Sequence, residues 1–211
     1  MIRTTLRRVV LAAGVLLAAT VACLHAQEPD AERAARLMDD LMWNRGPIGA
    51  PFALVDHTGK PRTDADFRGK LLLIYFGYSY CPDVCPTDLQ QIGLAIDALG
   101  AAGEAVQPLF ITLDPERDTV AHLADYVPLF HPRLIGLTGS ADEIRKIALA
   151  YKVYYAKYPP GSPGYVIDHS SFIYLVDQAG KYVGFFPPNT SADRMVDMLK
   201  LHLPAAKKSS E

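Results

Sequence analysis

The chain has 211 residues, 50% of them apolar, and its 21 basic and 23 acidic side chains leave a formal charge of −2. That length fits one domain with tails, and the apolar share is enough for a sizeable core. A mildly acidic chain without a basic stripe argues against a nucleic-acid partner, and Lys207-Lys208 is too small a cluster to alter that.

Arg3, Arg7 and Arg8 precede an uncharged apolar run, Val9 to Leu24, and Leu24-His25-Ala26 offers a cleavage site before Gln27. Residues 1–26 therefore read as an export signal. The run falls short of the roughly 20 residues that span a bilayer. An uncleaved N-terminal anchor is one alternative. Lipidation at Cys23 is another, although Thr20 stands where a lipobox carries Leu. All three readings place the folded part outside the cytoplasm, in a periplasm-like compartment. Loss of residues 1–26, which carry three Arg and no acid, takes the charge from −2 to −5.

Residues 27–45 read as a tether with one short helix, Ala31 to Trp43, and Gly46-Pro47 opens a domain that runs to residue 201. Pro51 to Val55 and the segment around Phe67 are expected to form a small hairpin turning at His57-Thr58-Gly59-Lys60. The continuous apolar run Lys70 to Tyr78 is expected to be a strand buried on both faces. Leu89, Ile92, Ile96 and Leu99 recur at helical spacing over Thr87 to Ala102. A second apolar strand, Val106 to Leu113, is followed by a helix, Thr119 to Phe130, and a short strand, Leu134 to Leu137. Ser140 to Tyr151 is a helix with Ser140 as N-cap and Glu143 completing a capping box. Val153 to Lys157 is extended, and residues 159–164 are a Pro/Gly loop. Ser171 to Val176 and Tyr182 to Phe186 form a hairpin, Ser191 to Leu201 a closing helix, and 202–211 a polar tail. Strands alternating with helices predict an α/β fold with a mixed sheet.

The chemistry concentrates at Cys81-Pro82-Asp83-Val84-Cys85-Pro86, where a buried strand hands over to a helix. With Cys23 in the targeting segment, the domain keeps one cysteine pair. An oxidising compartment favours structural disulfides, but a pair this close in sequence is a weak staple. A redox couple or two-thirds of a soft-metal site remain as the functional readings. Pro86 disfavours helix for the residue before it and suits a first helical position, so Cys85 is expected at the N-cap. There the helix N-terminus would make Cys85 the easier thiol to ionise. Among six histidines, His57, His122, His131 and His202 read as turn or exposed positions. His169, at the entry to the strand that starts near Phe172, stands where a sheet would bring it beside the cysteine loop.

These stretches resemble the Sco/SenC family of copper proteins. The match runs from Phe76-Gly77-Tyr78 through the cysteine loop, then Asp114-Pro115-Glu116-Arg117-Asp118-Thr119, Ile135 to Gly139, Tyr154-Tyr155, and Asp168-His169-Ser170 leading to Tyr174-Leu175-Val176-Asp177. The resemblance covers about residues 46–201. It implies a thioredoxin-like fold, a central mixed sheet flanked by helices with an N-terminal hairpin extension. It also implies one copper ion, Cu(I) or Cu(II), held by Cys81, Cys85 and His169, with Cys81 and Cys85 joined in an oxidised state.

The residues are compatible with that implication, since two thiolates and an imidazole form a soft set suited to Cu(I). Zinc takes such ligands too, usually with a fourth. Asp168 is expected to orient His169 by a hydrogen bond, and Asp83 to shape the turn rather than touch the metal. Asp114 to Asp118 reads as a helix start, with Asp118 or Thr119 capping, and by resemblance as a partner surface. The family implies a metallochaperone that takes copper from a periplasmic donor. It would deliver that copper to a membrane-associated partner, cytochrome c oxidase subunit II, to assemble its dinuclear copper centre. The alternatives are a thiol–disulfide reductase acting on that subunit through Cys81 and Cys85, and a redox or copper sensor. A peroxiredoxin-like peroxidase is disfavoured, because Tyr78 or Pro82 stands where its Thr is needed.

Overall fold

The computed structural model describes residues 30–162 and 164–203. The expected export signal, Cys23 and most of the expected polar tail lie outside the described residues. The chain divides into two compact units, Met1–Arg33 and Ala34–Glu211. Of the first, only the opening turn of helix α1 (Asp30–Met42) is described.

The sheet is built around β3 (Leu71–Gly77), whose seven residues are all buried. An uninterrupted apolar run is what a strand covered on both faces requires. β4 (Val106–Thr112) pairs with it in parallel, from Leu71↔Val106 to Gly77↔Thr112. β8 (Ile173–Val176) lies antiparallel on its other side. β5 (Ile135–Thr138) continues the sheet beyond β4, and β9 (Tyr182–Phe186) beyond β8. The hairpin β1 (Ala53–Asp56) and β2 (Pro61–Thr63) adds to β5, giving the order β2-β1-β5-β4-β3-β8-β9.

Adjacent strand residues point to opposite faces. Tyr75 accordingly stacks on Phe110, which meets Tyr126, whereas Phe76 packs against Tyr151 and Tyr174. Helices cover both faces: α2 (Val84–Ala98), α3 (Val120–Tyr126), α4 (Ala141–Ala150) and α5 (Ala192–His202). α2 and α5 pack on each other. The result is the thioredoxin-like α/β architecture with an N-terminal hairpin.

Several elements depart from the sequence reading. The hairpin's second strand follows the turn directly, and Phe67 falls in a 3-10 turn, Asp64–Phe67. Pro128 converts the end of the expected helix after Thr119 into a 3-10 turn, Val127–Leu129. The segments around the Pro/Gly loop pair with each other rather than with the main sheet. β6 (Tyr155–Tyr158) and β7 (Val166–His169) form a separate antiparallel hairpin, with Tyr155 opposite His169. The capping box at α4 forms as expected: Glu143 N–H donates to Ser140 Oγ, and Ser140 N–H to Glu143 Oε2 at 2.8 Å.

Candidate metal centre

β3 delivers the chain to Tyr78, which is 2% exposed, and then to the loop that holds Cys81. Helix α2 begins at Val84, so Asp83 is the N-cap and Cys85 sits inside the first turn. The expected N-cap at Cys85 is thus displaced by two residues. Pro86 is tolerated one position further in, because first-turn N–H groups have no intrahelical partner to lose. Cys85 is fully buried and Cys81 half-buried; both are free thiols.

This placement reverses the expected order of ionisation. The Cys85 thiol hydrogen-bonds to Cys81, and that bond, with His169 and the N–H groups of Asp83 and Cys85, outweighs partial burial and holds the Cys81 thiol far below its ordinary value. Cys85, tied up as the partner of Cys81 and buried, is pushed far up. The helix N-terminus therefore acts on the sulfur in front of it, not on the cysteine within its first turn.

His169 ends β7 and turns its Nε2 to the sulfurs, 3.4 Å from Cys85 Sγ. The donor atoms of Cys81, Cys85 and His169 all lie within 4.8 Å of one another, the sole such group of three among the described residues. His169 Nδ1 lies 3.2 Å from the Ser170 carbonyl and 3.5 Å from Ser171 Oγ. A carbonyl only accepts, so Nδ1 donates and Nε2 is the nitrogen left for a metal. Ser170 thus takes the orienting role expected of Asp168. Asp168 is exposed, and strand alternation turns it away from the face that carries His169.

The other acidic candidates also resolve. Asp83 shapes the turn through its backbone: its carbonyl accepts from Thr87 Oγ1 at 3.2 Å, and its side chain makes no capping bond. Asp114 is fully buried, accepting from the Arg117 guanidinium and from Tyr165 Oη at 2.6 Å, so its own side chain is closed to a partner, whereas Glu116 of the same segment is exposed. Thr119 caps α3. Asp118 is buried and accepts from Ser79 N–H at 3.0 Å and Thr112 Oγ1 at 2.6 Å, which anchors the start of the cysteine loop.

Sequence reading missed several supports of the site. Ser79 Oγ meets both Asp118 and His122 Nε2, and His122 is stacked between Tyr80 and Tyr126 rather than simply exposed. Away from the site, His131 is buried rather than exposed, accepting from Arg133 N–H and facing Asp97. Asp88 is fully buried on α2, where burial raises its carboxyl, and it accepts from Asn189 N–H at 2.8 Å. Gly77 had a visible signal, as the one residue without a side chain in a continuous apolar strand. A Cβ there would stand 2.9 Å from Cys85 Sγ, so only glycine lets that sulfur approach the strand.

A thioredoxin-like sheet that ends in two thiols with an imidazole against them defines a class: proteins that hold a soft metal, exchange disulfides, or both. The chain belongs to the SCO1/SenC family, whose model matches residues 42–203. It is 45% identical over 157 residues to the bovine protein SCO2 homolog, mitochondrial, covering 73% of this chain and 59% of that one. The chain thus spans about three-fifths of the length of the curated relatives it matches. Among solved structures, Bradyrhizobium japonicum ScoI with copper bound is 42% identical, with a TM-score of 0.69, covering 74% of this chain and 99% of that one. Yeast Sco1 with copper bound is 39% identical, with a TM-score of 0.67, covering 79% and 96%.

Proposed function

We propose that this chain is an extracytoplasmic copper carrier. It holds one copper ion through Cys81, Cys85 and His169 and passes it to cytochrome c oxidase, at the dinuclear copper site of subunit II. The observation that carries this reading is the cluster itself: two sulfurs and one imidazole nitrogen within 4.8 Å, brought together by separate elements. Such a set favours Cu(I) over harder ions. Three donors, one of them on a half-buried loop, leave room for a ligand of the donor or acceptor protein to enter. The copper-bound relatives support copper as the cargo. The family resemblance supports the oxidase as acceptor, and the apolar segment after Arg8 supports a periplasmic setting, by cleaved signal or anchor. Among the described residues, no helix is long and apolar enough to cross a membrane.

The experiment is an anaerobic Cu(I) titration of the reduced chain against a chromophoric chelator. One copper should bind tightly, and His169→Ala should weaken it while both thiols remain able to form a disulfide. Equal affinity in His169→Ala would overturn the three-ligand assignment.

A second reading, thiol–disulfide exchange, is favoured by the asymmetry of the two thiols. The Cys81 thiolate would attack a partner disulfide, forming a mixed disulfide and releasing one partner thiolate. Cys85, after losing its proton, would then attack the Cys81 sulfur. That releases the second partner thiolate and leaves Cys81–Cys85 oxidised. Such a reductase tolerates His169→Ala and fails with either cysteine replaced by serine.

A further inference from the structure

The three donors stand on two pieces of backbone with little else in common. Cys81 and Cys85 belong to the β3–α2 junction, whereas His169 rides on the β6–β7 hairpin, which shares no ladder with the main sheet. The segment Asp114 to Asp118 lies between them and touches both. On the cysteine side, Asp118 accepts from Ser79, and the Arg117 guanidinium lies 4.8 Å from the ring of Tyr80, the residue before Cys81. On the hairpin side, the same guanidinium lies 3.8 Å over the ring of Tyr165, and its Nη1 donates to the Tyr165 carbonyl at 3.1 Å. Tyr165 Oη donates back to Asp114, and Lys157 of β6 pairs with Glu116 at 2.8 Å.

Arg117 is thus a cation within reach of aromatic rings from both halves of the donor set, Tyr78 and Tyr80 on one side of it in sequence and Tyr165 on the other, with the buried carboxylate of Asp114 fixing its orientation. We infer that Arg117, with Asp114 and Tyr165, is a positioning latch. It holds the β6–β7 hairpin against the cysteine loop and so sets how long His169 stays within reach of the metal. None of the three touches the metal themselves. Their effect on copper runs through His169 and rests on the carrier reading above, whereas their effect on the hairpin does not.

The test uses Arg117→Lys, which keeps a cation beside Asp114 but loses the stacked plane and the Nη1 bond, and Tyr165→Phe, which keeps the ring but loses the bond to Asp114. In the copper-free protein, amide exchange over residues 155–158 and 166–169 should quicken about tenfold or more in Arg117→Lys, and less in Tyr165→Phe, with β3 and β4 unchanged. Cu(I) affinity should fall about 10–100-fold, the usual loss when a ligand's support is removed. In a His169→Ala background, Arg117→Lys should cost nothing further. Hairpin exchange as slow as in the parent, exchange that quickens equally in β3, or copper losses that multiply with those of His169→Ala would each overturn the latch. If the parent's copper affinity is indifferent to His169, the carrier reading fails, and the exchange data still decide the latch.

Discussion

At the scale of single residues, the division of labour between the two thiols is the feature with the most consequence. Cys81 faces the loop with the N–H groups of Asp83 and Cys85 aimed at its sulfur, and Cys85 is buried behind Gly77. A thiol held far below its ordinary value is ionised at neutral pH. Iodoacetamide should therefore modify Cys81 in the reduced protein at a rate that changes little between about pH 5 and pH 8. Cys85 should react only after unfolding. A rate that climbs about tenfold per pH unit across that range would show that Cys81 titrates like a free cysteine. The identity of the pair was legible from spacing, but the order of ionisation was not. It depends on whether the helix starts at Val84 or Pro86, and the local preference set by Pro86 favoured the wrong one.

At the scale of elements, what was legible follows burial. β3 is apolar throughout and β4 nearly so, because the sheet is covered on both faces, and α4 announces itself through Ser140 and Glu143. The β6–β7 hairpin was not legible. All but Ile167 of its strand residues are half-exposed or exposed, Val166-Ile167-Asp168-His169 is too short to show a clean period, and its ties to the cysteine side, Arg117 to Tyr165 and Glu116 to Lys157, are distant in sequence. The β1–β2 turn carries its own anchor. Burial of Asp56 opposes ionisation, but hydrogen bonds from Thr58, Arg62 and Lys60 outweigh it and hold the carboxyl well below the usual range. A depressed carboxyl stabilises the fold above the unfolded value, about 3.9, and that stability is lost as pH falls toward the folded value. Asp56→Asn should therefore cost about 1–3 kcal/mol at pH 7, and the gap to the parent should close in acid. Urea unfolding of both proteins at pH 7 and at about pH 3 measures it; a gap of equal size at both would remove the carboxylate from the account.

At the scale of the whole molecule, the sheet order explains why the donors meet. β3 is central, and its C-terminal end opens the cysteine loop. β8 pairs antiparallel with β3, so its N-terminal end lies at the same edge, and His169 stands just ahead of it. The pairing that places an imidazole beside two sulfurs is thus a property of the topology, with the Asp114 to Asp118 segment closing the gap between main sheet and hairpin. The carrier reading rests on that convergence of two sulfurs and one nitrogen. X-ray absorption at the copper edge tests it most directly, on the Cu(I)-loaded parent and on His169→Ala. The expected sphere in the parent is two sulfur scatterers and one nitrogen per copper, with only the nitrogen lost in the variant. A parent sphere of sulfur alone, or one that His169→Ala leaves unchanged, would contradict the assignment.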